Sequence, residues 1–357
     1  MSSGLIPRRF DNVEPRPQLV IPAHDKYIST LAYLPDGRRV VTGSGDGTMR
    51  VCHLENAKQV VAEKHENRVG SLVVTRDGTK IITSNNDGNI KVWDLESHKL
   101  VKEWSHPEIW PEIAISPDDQ LIATGCWTVA IYTVQGRQVN HSIPVGDVIW
   151  SMAFSPDAEK IACTTREDIR VYDVRSGKLI LGPLLGHEDY VRCVLWSLDG
   201  ASLFSASHDC TIRRWNSHTG EQIERPWTGH TGRIRALSLS PDGSILASAS
   251  FDQTVRFWDV ASDLPIGQHL RHDTEVCAVC FSPSGEFLTS SGWNGRIYLW
   301  PAPSLNPIND LVIMPFKFRA RTYLVVGGYN SPQRTLLEIS HVLPSHRLLS
   351  SLPRFSL

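Results

Sequence analysis

No stretch of apolar residues in the 357-residue chain approaches the length needed to cross a bilayer, and Met1–Phe10 lacks the apolar core of a secretory leader. No excess of either charge is present. Thirty-six Lys and Arg stand against 38 Asp and Glu, interspersed, for a net charge of -2, which excludes the basic footprint of a nucleic-acid binder. Cysteines are few, odd in number (seven) and scattered, which points to reduced thiols in the cytoplasm or nucleus rather than a disulfide framework. No glycine-rich loop follows a strand and opens a helix, so nucleotide binding has no support. Cys277 and Cys280 form a C-x-x-C, but residues three apart on a strand face opposite sides, and no second Cys/His pair lies at zinc spacing. Neither a cofactor nor a metal is expected.

A recurring unit is present, clearest from Trp227 to Val260. It opens on Gly229-His230, alternates through three short apolar segments separated by Pro241-Asp242-Gly243 and Phe251-Asp252-Gln253, and closes on Trp258-Asp259. Anchored on the opening His, copies begin at His24, His65, His106, Val145 (a substitution), His187, His230 and His272, 39 to 43 residues apart. The closing position, Cys52, Trp93, Tyr132, Tyr172, Trp215, Trp258 and Trp300, keeps the same period. Four strands cannot bury their apolar faces alone, so such a unit requires its copies.

In its period, its Gly-His opening and its Trp-Asp closing, the chain resembles the WD-repeat β-propeller family over residues 18 to 300. The resemblance implies an all-β fold, a seven-bladed propeller of four-stranded antiparallel blades. Pro301 and Pro303 follow the last Trp and deprive repeat seven of its own outer strand, so the apolar segment Gln18–Ile21 is expected to supply it and close the ring. The domains expected are a flexible arm over 1–17, the propeller over 18–303 and a disordered tail over 304–357.

Repeat five carries His187, Ser207, Asp209 and Trp215, and repeat six His230, Ser250, Asp252 and Trp258. Composition alone suggests a Ser-His-Asp hydrolase, but a catalytic site occurs once, whereas this set recurs around the chain with decreasing fidelity. The resemblance implies structural tetrads in which Asp orients His, His meets Ser and Ser meets the indole N–H. No catalytic residue is expected. Repeats three and four have lost much of the set and a residue or two of the Asp turn, so they are expected to be the least rigid blades.

By the same analogy, two positions per repeat face the narrow mouth of the channel: the residue before the first strand's leading apolar position and the residue before the tetrad Asp. The first gives Tyr27, Arg68, Tyr190 and Arg233 among others; the second gives His208, Phe251 and Trp293. Trp, Tyr and Arg dominate interface hot spots, so these seven are the candidate partner-binding residues. The function expected is a non-catalytic scaffold, a monomeric propeller within a larger complex, binding proteins or peptides but neither nucleic acid nor membrane. One alternative is a substrate receptor of a cullin-type ubiquitin ligase, docking through Arg175 of Tyr172-Asp173-Val174-Arg175. Another is a propeller enzyme, which would need a unique titratable cluster at the channel mouth.

Overall fold

The structure, a computed structural model, describes residues 14–139 and 142–304, so the expected arm up to residue 13 and the tail from residue 305 lie outside the described residues. All regular structure there is β: 28 strands in seven four-stranded antiparallel sheets. Six of the sheets are consecutive in sequence. The seventh takes its outer strand, Leu19–Pro22, from the N-terminal end and pairs it with Arg296–Pro301 in the register Leu19↔Leu299 to Pro22↔Arg296.

Each blade's first strand packs against the first strands of its two neighbours, and the series closes when Val276–Phe281 of blade seven meets Ile28–Tyr33 of blade one. These seven strands line the central channel. Both faces of a blade are therefore covered, and the middle strands read as continuous buried runs, as in Ser202–Ser207 and Ile245–Ser250. The apolar core is not one mass. It divides into seven clusters, one in each gap between neighbouring blades.

In blades one, two, five, six and seven the first strand carries a β-bulge one residue after it begins, between Ile28 and Thr30 in blade one and at the matching places elsewhere. A bulge leaves one residue unpaired and re-aims its side chain. The residues so released are Ser29, Gly70, Arg192, Arg235 and Cys277, each five positions after its repeat's anchoring His. Pro111 and Trp150 hold the same position in blades three and four.

The join of blade seven to blade one rests on Ile21, buried in one cluster with Ile28, Val40, Ile297 and Leu299, whereas Val20 faces outward. Ile21→Ala is expected to cost about 2–5 kcal/mol and Val20→Ala less than about 0.5 kcal/mol in urea unfolding. Equal losses from the two would contradict closure by this strand.

Candidate functional site

The Ser-His-Asp-Trp sets are complete in blades five and six, with a correction to the serine. His187 Nδ1 lies 2.7 Å from Asp209, and its Nε2 lies 2.8 Å from Ser205 Oγ. The Trp215 indole N–H donates to that same oxygen at 2.8 Å. In blade six His230 pairs with Asp252 at 2.7 Å and with Ser248 at 2.7 Å, while Trp258 donates to Ser248 at 2.9 Å. The hydroxyl between His and Trp is therefore Ser205 or Ser248, not Ser207 or Ser250. Residues two apart share a strand face, so alternation does not separate the candidates. Cross-strand register does: Trp215 sits opposite Leu203, and its ring reaches two residues along the strand to Ser205. Ser207 and Ser250 accept the N–H groups of Asp209 and Asp252 at 3.0 Å and donate to the carbonyls of Asp189 and Gly232.

Both central serines are fully buried and already bonded on two sides, so neither can meet a substrate. Their bonds satisfy polar groups that would be expensive to leave bare inside the gaps. The Asp209 carboxyl, although burial pushes it upward, is held down at about 2 by its bond and charge pairing with His187.

The other blades keep fragments. Thr42 serves His24 in blade one, where Cys52 replaces the indole. Thr83 joins His65 to Trp93, and Ser290 joins His272 to Trp300, but Nδ1 of both histidines lacks a partner, and burial pushes both imidazoles down to about 4.

Blades three and four are fastened differently. Glu108 accepts the backbone N–H groups of Cys126, Trp127 (2.7 Å) and Thr128 and the Thr128 hydroxyl (3.0 Å), doing from the preceding loop what the Asp does from the turn. In blade four Arg170 bonds Asp168 with two nitrogens and donates to the Val145 carbonyl at the position that has lost its His. The sequence gives no notice of these substitutes.

A WD40 sequence profile, described as "WD domain, G-beta repeat", matches residues 15–53, 58–94, 179–216, 221–259 and 265–301, more than half of the chain. The chain belongs to the WD40-repeat family. The longest unmatched stretch between these segments, residues 95–178, falls on blades three and four. Among similar proteins, the rice (Oryza sativa subsp. japonica) small ribosomal subunit protein RACK1y is 29% identical over 112 residues, covering 29% of this chain and 33% of that protein. The intraflagellar transport protein 122 homolog of Danio rerio is 36% identical over 80 residues, covering 22% of this chain and 7% of that protein. Yeast (Saccharomyces cerevisiae) U4/U6 small nuclear ribonucleoprotein PRP4 is 26% identical over 118 residues, covering 29% and 24%. The WD40 chain thus spans a third or less of the length of these relatives.

The candidate partner-binding residues all lie on one face of this WD40 ring. Backbone bonds tie the two positions of a blade together: His208 N–H to the Tyr190 carbonyl at 2.9 Å, Phe251 to Arg233 at 2.9 Å, and Gly45 to Tyr27 at 3.0 Å. Side chains on neighbouring blades then join in two groups. Trp293 packs on Tyr27 with ring centroids 5.1 Å apart, the Tyr27 hydroxyl accepts from Arg68 at 3.0 Å, and the Arg68 guanidinium lies 4.5 Å over Trp110. Gly45 makes room for this, because a Cβ there would stand 2.5 Å from the Tyr27 ring. In the second group Arg192 lies 4.1 Å over Trp150, which meets Tyr190 edge-on, and Tyr190 meets His208 at 5.8 Å. Arg233 is exposed and Phe251 half-buried on blade six, outside both groups.

A cavity of about 470 Å³ opens at the channel mouth between these groups. Of the seven candidates, only Tyr27 and Arg68 line it; most of the wall comes from blades two to four, including Ile109, Trp110, Glu112, Trp127 and Trp150. Arg192 and Arg235 enter from the bulges. Sequence reasoning missed Trp110, Glu112, Trp150, Arg192 and Arg235. The signal was there: the column five residues after the anchoring His reads Ser, Gly, Pro, Trp, Arg, Arg, Cys, an unusual set for the start of an apolar strand. Burial pushes the Glu112 carboxyl up to about 7, against the pull of Arg235 and a bond to Ser71.

Ser248→Ala in blade six and Glu108→Ala in blade three are each expected to cost about 1–3 kcal/mol in urea unfolding, an equality that would make blade three no softer than blade six. A Glu108→Ala protein as stable as the parent would contradict the substitute fastening. Glu112 supplies a second test. A carboxyl with a raised folded pKa holds its proton more tightly when folded, so its charge is a cost that grows as pH rises through 4.5 toward 7 and is complete above. Glu112→Gln should therefore stabilise the protein by roughly 3 kcal/mol near pH 8 and by less than about 1 kcal/mol near pH 5. An equal gain at both pH values would rule this out.

Proposed function

We propose that this WD40 protein is a non-catalytic scaffold that binds a protein or peptide at the channel mouth, over the walls contributed by blades one to six. The observation that carries the reading is the cavity itself, with half-exposed Trp110 and Trp127 beside arginines already stacked on aromatic rings. Aromatic and arginine anchors in a preformed hollow are the usual centre of a binding surface, and a closed ring presents them without ordering costs at the moment of binding. Relatives named for a ribosomal subunit, intraflagellar transport and a small nuclear ribonucleoprotein support a role inside larger assemblies. The seven free thiols support a reducing compartment, cytoplasm or nucleus.

Arg175, on which the ligase-adaptor alternative depends, is exposed on the turn after strand Asp168–Asp173, at the end of the blade away from the cavity. No feature around it favours that alternative over the mouth.

The test is a pull-down from native lysate with mass-spectrometric identification, comparing the parent with Trp110→Ala/Trp127→Ala and with Arg233→Ala/Phe251→Ala. Specific partners should vanish with the first pair and persist with the second. Partners that survive the first pair would place the contact elsewhere on the ring.

A further inference from the structure

Arg68, Arg192 and Arg235 converge on the mouth, yet none has a carboxylate within ion-pair distance among the described residues. Elsewhere this chain supplies such partners: Asp168 to Arg170 at 2.9 Å, Asp36 to Arg39 at 2.5 Å and Asp263 to Arg214 at 3.5 Å. The one carboxylate in the cavity wall, Glu112, is hydrogen-bonded to Ser71, and burial pushes it up to about 7, so near neutrality it carries only part of its charge. Three guanidinium groups thus face a concave, low-dielectric hollow with little compensation, an arrangement that concentrates positive potential. Two of them stand over indoles, at 4.5 and 4.1 Å, which holds each guanidinium against an aromatic face and leaves N–H donors for an incoming oxyanion.

We propose that the mouth is a socket for a short acidic peptide segment, in which Asp or Glu carboxylates meet Arg192 and Arg235 while a neighbouring apolar or aromatic side chain packs on Trp110 and Trp127. The inference rests on the scaffold reading above and names the ligand chemistry of the same site. Cavity size limits the occupant to a few side chains. Charge selects its class. Around the basic centre the loops of the same face expose Asp25, Glu66, Asp87, Glu188 and Asp273 against Lys26, Arg166 and Arg233. A long polyanion crossing the face would meet repulsion there, whereas a short acidic segment dropping into the centre does not. The chain's own C-terminal segment has the wrong charge for the role, with six Lys and Arg against Asp310 and Glu338 beyond residue 303.

The experiment is selection of a random peptide-display library on the intact protein, followed by fluorescence anisotropy of the winning peptides. Winners should carry Asp or Glu beside an apolar or aromatic residue and bind more weakly as salt rises. Arg192→Gln/Arg235→Gln should weaken them at least roughly tenfold. Glu112→Gln should tighten them severalfold, a gain that misfolding cannot produce. A labelled oligothymidylate should neither bind comparably nor displace the peptides.

Neutral or basic winners, or acidic winners that ignore the double arginine variant, would overturn the socket. So would displacement by oligothymidylate, which would assign the mouth to a polynucleotide. If lysate partners still depend on Trp110 and Trp127 while the winners are not acidic, only the ligand chemistry fails. Loss of that dependence would remove the scaffold reading beneath it.

Discussion

A blade of this protein buries its two faces only because another blade stands on either side, so stability depends on the ring being closed. Six joins are local, made by strands that follow one another in the chain. The seventh is made between Leu19–Pro22 and Arg296–Pro301, residues separated by almost the whole propeller. Closure of so long a loop costs little more entropy than closure of a short one, since the cost grows only with the logarithm of length. What the strand gains is a full cluster: Ile21 and Ala23 are buried with Ile28, Val40, Ile297 and Leu299, and blade seven loses an exposed edge.

Within that ring the blades are not equivalent. Blades five and six hold a buried hydroxyl between an imidazole and an indole, with the imidazole fixed in turn by a carboxylate. Blades three and four lack this network, and Glu108 and Arg170 hold their turns by other means. The cavity wall is drawn chiefly from blades two to four. None of Trp110, Glu112, Trp127 and Trp150 stands at a tetrad position, and Arg192 and Arg235 reach the same cavity from blades whose networks are complete, so fastening and cavity lining use different columns of the repeat.

The ring, the number of blades and the donated strand were all legible in the sequence, because His and Trp recur in phase and prolines stop the last repeat. The site was legible only in part. Tyr27 and Arg68 were identified from their place before the first strand, but Arg192 and Arg235 stand two residues further on, where simple alternation assigns a strand interior. The bulge cancels that alternation locally, and the polar column five residues after the anchoring His, although visible, does not by itself say which way its side chains point. The serine of each tetrad failed for a related reason: Ser205 and Ser207 share a face, and the choice between them is made by the reach of an indole on the adjoining strand. Both errors concern register, which depends on two strands at once.

The same bulges explain how a protein of nearly balanced charge can present a strongly basic centre. Released from the ladder at the inner ends of blades five and six, Arg192 and Arg235 project into the channel instead of lying along a blade, and Arg68 joins them across the mouth. Acidic residues remain on the outer loops, so the net charge of -2 conceals a separation of sign between centre and rim. Such a pattern is weak at long range, where rim and centre cancel, and strong inside the hollow, where only the arginines are near. Partner choice would then be made at contact rather than by steering from a distance, through geometry that the stacked indoles have already fixed.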